Sequence, residues 1–287
     1  MMNNLDKQEL QAFIIHALKE DVGDGDHTSL ATIPQGRQGK AELIVKENGI
    51  LAGLAVALEV FNTVDASLEV ALLAKDGDII RVGDRVLTVK GNIHAILMAE
   101  RLVLNIMQRM SGIATTTHQV TEVLKSFKTK VLDTRKTTPG LRFLEKEAVR
   151  IGGGVNHRSG LYDMILIKDN HVDYAGGIRQ ALTAAQQYVA TRPKPLLIEI
   201  EVRNLDELEE VLAIGKVDRI LLDNFDFDML KQAVELINGR FVSEASGGIT
   251  LENAKQYAAC GVDFISMGAL THSVKSLDMS LKAQLLN

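Results

Sequence analysis

The chain has 287 residues, 46% of them hydrophobic and 24% charged, with a formal net charge of -5 at pH 7. That length suits two modest domains or one large α/β domain, and the negative balance argues against a general nucleic-acid binder, whose surface is normally basic. One cysteine, Cys260, excludes an internal disulfide and a multi-cysteine zinc site, and it points to a reducing compartment. Apolar runs are broken by Gly and Glu and are too short to span a bilayer. The first twenty residues form an amphipathic helix pattern with acids, unlike a signal peptide. The expectation is a soluble, cytoplasmic protein that partners neither membrane nor nucleic acid.

Residues 5–19 place Leu10, Phe13, Ile14, Ala17 and Leu18 at helical spacing. EDVGDGDHTS, from Glu20, has the wrong spacing for a 12-residue calcium loop and reads better as a Gly/Asp turn with a helix cap. Residues 39–90 change to short strand-like runs at 41–45, 67–73 and 85–89, with turn signals between them and a helix at 53–62. This predicts an α+β domain with an antiparallel sheet. Two helices follow, at 93–110 and 115–127. The first is apolar nearly all round, so Arg101 on it calls for a buried partner or a ligand, and the pattern leaves both open.

From Lys130 the rhythm changes again. Apolar runs at 131–132, 164–167, 196–200, 220–222, 241–242 and 262–265 alternate with helical stretches. Alternation of this kind predicts a parallel sheet with helical crossovers, of six strands and not eight. Polar groups stand at or just past each strand end. They are Arg135 and Lys136; Lys168, Asp169 and Asn170; Glu199 and Glu201; Asp223 and Asn224; Glu244, Ser246, Gly247 and Gly248; and Ser266, Met267 and Gly268. In a parallel barrel these ends share one rim, where active sites lie.

The stretch from Asp133 to His171 is the densest. Arg135, Lys136, His157, Arg158 and Lys168 lie there among Gly and Thr, which suits an anion site. Arginine forks fit carboxylates, and the small residues of SEASGG and SMGAL let backbone N–H groups approach phosphate. Glu201 and Asp223, on consecutive strands beside these groups, suit Mg²⁺ held with substrate phosphates, or pair with the nearby lysines instead. The expected substrates carry phosphate and carboxylate. The sequence has no G-x-x-x-x-G-K-[ST], G-x-S-x-G or H-E-x-x-H motif.

The segments EDVGDGDHTS, AERLVLNIMQRMSGIAT, DTRKTTPGLR, GGGVNHRSGLYDMILIKDNH, IEIEV, ILLDNF, EASGGIT and GVDFISMGAL, in this order, resemble the quinolinate phosphoribosyltransferase family over nearly the whole chain. The resemblance implies an α/β protein. An N-terminal α+β sandwich domain of residues 1–112, joined by the C-terminal segment 277–287, would precede an incomplete six-stranded parallel α/β barrel of residues 113–276. It implies a homodimer, and transfer of phosphoribosyl from phosphoribosyl pyrophosphate to quinolinate with loss of CO2. Arg135, His157 and Arg158 would then hold the quinolinate carboxylates. Lys136, Thr137 and Lys168 would contact donor phosphates or the substrate carboxylate. Glu201 and Asp223 would hold Mg²⁺ and ribose hydroxyls, and with Lys136 form the catalytic set. Glu244, Ser246, Gly247 and Gly248, with Ser266, Met267 and Gly268, would complete substrate and phosphate binding. Arg101 would enter the neighbouring subunit's site. Period two puts Glu199 on the same strand face as Glu201, so the choice of Glu201 rests on the resemblance alone. The alternatives are a same-fold paralogue with another acceptor, a Schiff-base lyase using Lys168, and a non-catalytic phosphate-ligand module.

Overall fold

The acid-rich turn near the N-terminus ends in a helix cap. In this computed structural model, which describes residues 7–284, Asp26 accepts the Ser29 N–H at 3.0 Å. The chain runs α1 (Lys7–Val22), α2 (His27–Thr32), β1 (Gln38–Val45), β2 (Gly49–Ile50), α3 (Leu54–Val64), β3 (Glu69–Leu72), β4 (Ile79–Ile80), β5 (Arg85–Asn92) and α4 (Ile93–Leu124). It continues with β6 (Lys130–Leu132), α5 (Arg142–Ile151), β7 (Ile165–Ile167), α6 (Asp169–Ala175), α7 (Ile178–Ala190), β8 (Ile198–Val202) and α8 (Leu205–Ile214). Last come β9 (Arg219–Asp223), α9 (Phe227–Ile237), β10 (Val242–Ser246), α10 (Ala254–Ala259), β11 (Phe264–Ser266), α11 (Ala269–His272) and β12 (Met279–Gln284). Packing groups Gln119–Thr137 with Gly154–His272 in one unit and the remaining described residues in another, so Thr138–Gly153, which carries α5, belongs with the N-terminal elements.

The N-terminal unit is built on a four-stranded antiparallel sheet in the order β12-β1-β5-β3. Ala41, Leu43 and Val45 of β1 are buried at period two. They face Val89 and Leu87 of β5 and Leu281 and Met279 of β12 across the ladder. Where the sequence suggests two helices, α4 is one helix of 32 residues. Gly112 does not break it. A Cβ at that position would lie 2.2 Å from the Lys275 carbonyl oxygen, so the glycine gives the returning C-terminal segment its close approach.

The second unit carries a six-stranded sheet in the order β6-β11-β10-β9-β8-β7, parallel throughout. The last strand, β11, returns beside the first, β6, while β6 and β7 do not pair, so the barrel is incomplete. Ile198, Glu199 and Ile200 of β8 and Ile220, Leu221 and Leu222 of β9 are buried at successive positions, as in a sheet covered on both faces. Two crossover helices begin at side-chain caps, Asn204 accepting from Glu207 N–H and Asp226 from Met229 N–H. β10 runs four residues beyond the apolar pair at 241–242, to Ser246, because its register with β9 continues from Ser243 to Ser246. The polar end Lys168-Asp169-Asn170-His171 opens the short helix α6, which the periodicity does not signal. The His171 ring accepts the Lys168 N–H there at 3.0 Å.

Overpacking at Gly112 should therefore be costly. Gly112→Ala is expected to destabilise the protein by about 1–3 kcal/mol, measured by denaturant unfolding, even though alanine favours helix.

Candidate active site

The segment after α5 is sewn to the strand before it. Val155 bridges Leu132 in parallel, its N–H donating to the Val131 carbonyl at 2.9 Å. Asp133, fully buried just past β6, accepts the His157 N–H at 2.9 Å. These bonds bring His157 and Arg158 to the end of β6, where Arg135 and Lys136 also lie. The Thr271 hydroxyl donates to the Lys136 carbonyl at 2.8 Å and ties that backbone to α11.

A cavity of about 670 Å³ opens at the carboxyl ends of the parallel strands. Arg135, Lys136, His157, Arg158 and Lys168 line it on one side. Glu201, Asp223 and Glu244 line it next, followed by Ser246, Gly247, Gly248, Ser266, Met267 and Gly268. Of the residues expected at a site, two stand apart. Thr137 does not line the cavity, and Arg101 is an exposed residue of α4 in the N-terminal unit. Thr134, Asn224, Thr250 and His272 also line the cavity without having been singled out as binding residues. Asn224 adopts φ 56°, and its amide donates to the Asp223 carboxylate at 2.7 Å. Gly247, at φ 102°, must be glycine: a Cβ would lie 2.1 Å from the Asn224 side-chain oxygen.

The cations lie close enough to act on one another. Burial first, and then the charge of Arg135, lower the Arg158 pKa. The acids separate by depth. Glu201 is half-buried on the cavity wall, with its carboxylate 3.7 Å from Lys168 Nζ. Burial raises its pKa; Lys168 opposes this, and Asp223 adds to it. Burial likewise raises Asp223, against the Asn224 hydrogen bond. Two half-buried carboxylates held above their ordinary range would be relieved by a divalent cation, so this pair fits the metal reading.

Glu199 lies two residues deeper, fully buried, and does not line the cavity. Its carboxylate is 3.0 Å from His157 Nε2. Glu244 borders the cavity, but its carboxylate is 1% exposed and is engaged by Arg219 at 2.8 Å and by His157 at 3.5 Å. Burial pushes Glu199 up, whereas His157 and Arg219 hold Glu244 below the usual range against burial. Burial works against a charged His157 ring, and the two glutamates favour it and raise its pKa. The Arg158 N–H, which donates to Nδ1 at 2.7 Å, nevertheless holds the ring neutral, because a charged ring has no lone pair on Nδ1 to accept it.

Chemically, the site can take a polyanion with both carboxylate and phosphate groups. Lys168 is half-exposed beside Glu201, not desolvated as a Schiff-base lysine would be.

Comparison with known proteins matches two successive regions of the chain. The model described as quinolinate phosphoribosyl transferase, N-terminal domain, matches residues 26–111, and that of the C-terminal domain matches residues 113–282. A chloroplastic nicotinate-nucleotide pyrophosphorylase [carboxylating] from Arabidopsis thaliana is 48% identical over 96% of this chain and 82% of its own length. A probable nicotinate-nucleotide pyrophosphorylase [carboxylating] from Bacillus subtilis is 44% identical over 100% of this chain and 96% of its own length. The crystal structure of NadC from Streptococcus pyogenes superposes with a TM-score of 0.94 at 41% identity, covering 99% of this chain and all of that one. Both halves of the sequence, the incomplete six-stranded barrel and the cation-lined rim thus agree, and the chain belongs to the quinolinate phosphoribosyltransferase family.

Proposed function

We propose that this protein joins quinolinate to phosphoribosyl pyrophosphate and releases nicotinate mononucleotide, pyrophosphate and CO2, as the names of its relatives suggest. The observation that carries this reading is the pairing of Arg135 and Arg158 in one cavity with the Glu201–Asp223 pair and the small-residue loops after β10 and β11. Two guanidinium forks suit a dicarboxylate. The loops suit phosphate.

The reaction needs positioning and charge more than a covalent nucleophile. Arg135 and Arg158 hold the acceptor carboxylates so that the ring nitrogen faces the anomeric carbon of the donor. That nitrogen forms the new bond as the bond to pyrophosphate breaks, and Lys136 and Lys168 offset the charge on the departing group. The ring nitrogen is then cationic, so the adjacent C2 carbon can keep the electron pair left behind when CO2 departs. A proton at C2 completes nicotinate mononucleotide. Glu201 and Asp223 would hold Mg²⁺ and the ribose hydroxyls. When bound, the metal would supply charge stabilisation of the pyrophosphate.

We further propose a homodimer in which Arg101, exposed on α4, completes the partner's site. No helix among the described residues is long and apolar enough to cross a membrane. With its single cysteine and acidic balance, the protein is read as cytoplasmic, although several plant relatives are named as chloroplastic or mitochondrial.

Purified protein with Mg²⁺ should make nicotinate mononucleotide from quinolinate and stop when the metal is chelated. Nicotinate offered in its place should react far more slowly; comparable turnover of the two would remove the carboxylate-clamp argument. Arg158→Ala should lower kcat/KM for quinolinate roughly 10- to 150-fold, the equivalent of one charge-assisted contact of about 1.5–3 kcal/mol. Mixing Arg101→Ala subunits with Lys136→Ala subunits should restore activity that neither variant has alone, and no recovery would count against a shared site.

A further inference from the structure

Beneath the acceptor end of the cavity lies a set of buried charges to which the proposed reaction assigns no role. Glu199 on β8 and Glu244 on β10 flank β9. Arg219 opens β9, in register with Glu199, and donates to Glu244 Oε2 at 2.8 Å. Its guanidinium also lies over the Phe264 ring, 4.8 Å from the centroid. His157 enters this group with Nε2 3.0 Å from Glu199 and 3.5 Å from Glu244. The far edge of the same ring is engaged too: the Arg158 N–H donates to Nδ1 at 2.7 Å, which leaves the ring proton on Nε2, towards the glutamates. The His157 N–H goes to Asp133, and an Arg158 guanidinium nitrogen donates to the Met164 carbonyl at 3.2 Å.

Such a group adds little net stability, because burying two carboxylates against one guanidinium and an imidazole costs about as much as their attraction returns. What the charges contribute is direction. The three clustered donors of His157, Glu199 and Glu244 resemble a metal-ligand set. Arg219, however, already supplies the cation that Glu244 needs, and an ion there would have to displace it.

We propose that Glu199, Glu244 and Arg219 are positioning residues for the acceptor pocket. They hold His157 through Nε2 in the orientation in which Nδ1 takes the Arg158 N–H, and so they set where the Arg158 guanidinium enters the cavity. The inference deepens the function proposed above and relies on it for the identity of the acceptor.

The test compares Glu199→Leu, Glu199→Gln and Glu199→Met with the wild type. Steady-state kinetics vary quinolinate and phosphoribosyl pyrophosphate separately. ¹⁵N NMR of histidine-labelled, substrate-free protein reads the His157 ring. Glu199→Leu is expected to raise KM for quinolinate by roughly tenfold or more and to leave KM for the donor within about twofold. Glu199→Gln keeps an acceptor for Nε2–H and should recover most of that loss. In the wild type the ring should show a protonated Nε2 and an unprotonated Nδ1, a pattern kept in the glutamine variant and lost in the leucine one. Equal rises in both KM values, or an unchanged His157 signal in Glu199→Leu, would overturn the proposal. Should Glu199→Leu not fold, Glu199→Met also removes the acceptor and carries the same two readouts. If the wild type does not turn over quinolinate, the proposed activity falls. The NMR comparison still decides whether the glutamates hold the ring.

Discussion

Parallel pairing sets the direction of every strand in the second unit, and with it the side on which each strand delivers its last side chains. Six parallel strands therefore gather Arg135 and Lys136, Lys168, Glu201, Asp223, Ser246 and Ser266 around one cavity, though these residues are spread over more than 130 positions of the chain. No single loop does this. The barrel stays open between β6 and β7, and there Val155 bridges back to β6 and brings His157 and Arg158 to the rim. An incomplete barrel thus gains an extra segment at the place where its most cationic residues are needed.

Bringing so many cations together without a bound anion is unfavourable, and the fold offsets it from below. Glu199 and Glu244 sit under the pocket with Arg219 between them in strand order, and His157 reaches down into the pair. The same layer separates two kinds of acid. Glu201 and Asp223 face the cavity, half-buried and held above the ordinary carboxylate range. Glu244, tied to Arg219, is held below it. Depth along the strand, more than residue type, divides the acids open to substrate from those that order the protein.

Close packing plays a comparable part elsewhere. Gly112, inside the unbroken α4, makes room for the backbone at Lys275, and Gly247 makes room for Asn224, whose amide in turn orients Asp223. A motif glycine can mark either a break or an approach, and only the neighbouring chain distinguishes the two.

The sequence alone determined the alternation of strand and helix, the count of six parallel strands, the polar rim at their ends and the family, because periodicity and local motifs are properties of contiguous residues. Most of the residues expected at a site do line one cavity; Thr137 and Arg101 do not. Depth and non-local contact were decided only by tertiary structure. Period two placed Glu199 and Glu201 on one face, but depth in the folded barrel decided which is buried beside His157 and which meets the cavity. The reason for a glycine inside α4 lies in a C-terminal segment more than 160 residues away. The partners of the His157 ring come from β8, β10 and the next residue's backbone, and no spacing in the sequence encodes a contact among elements brought together by the closing of a sheet.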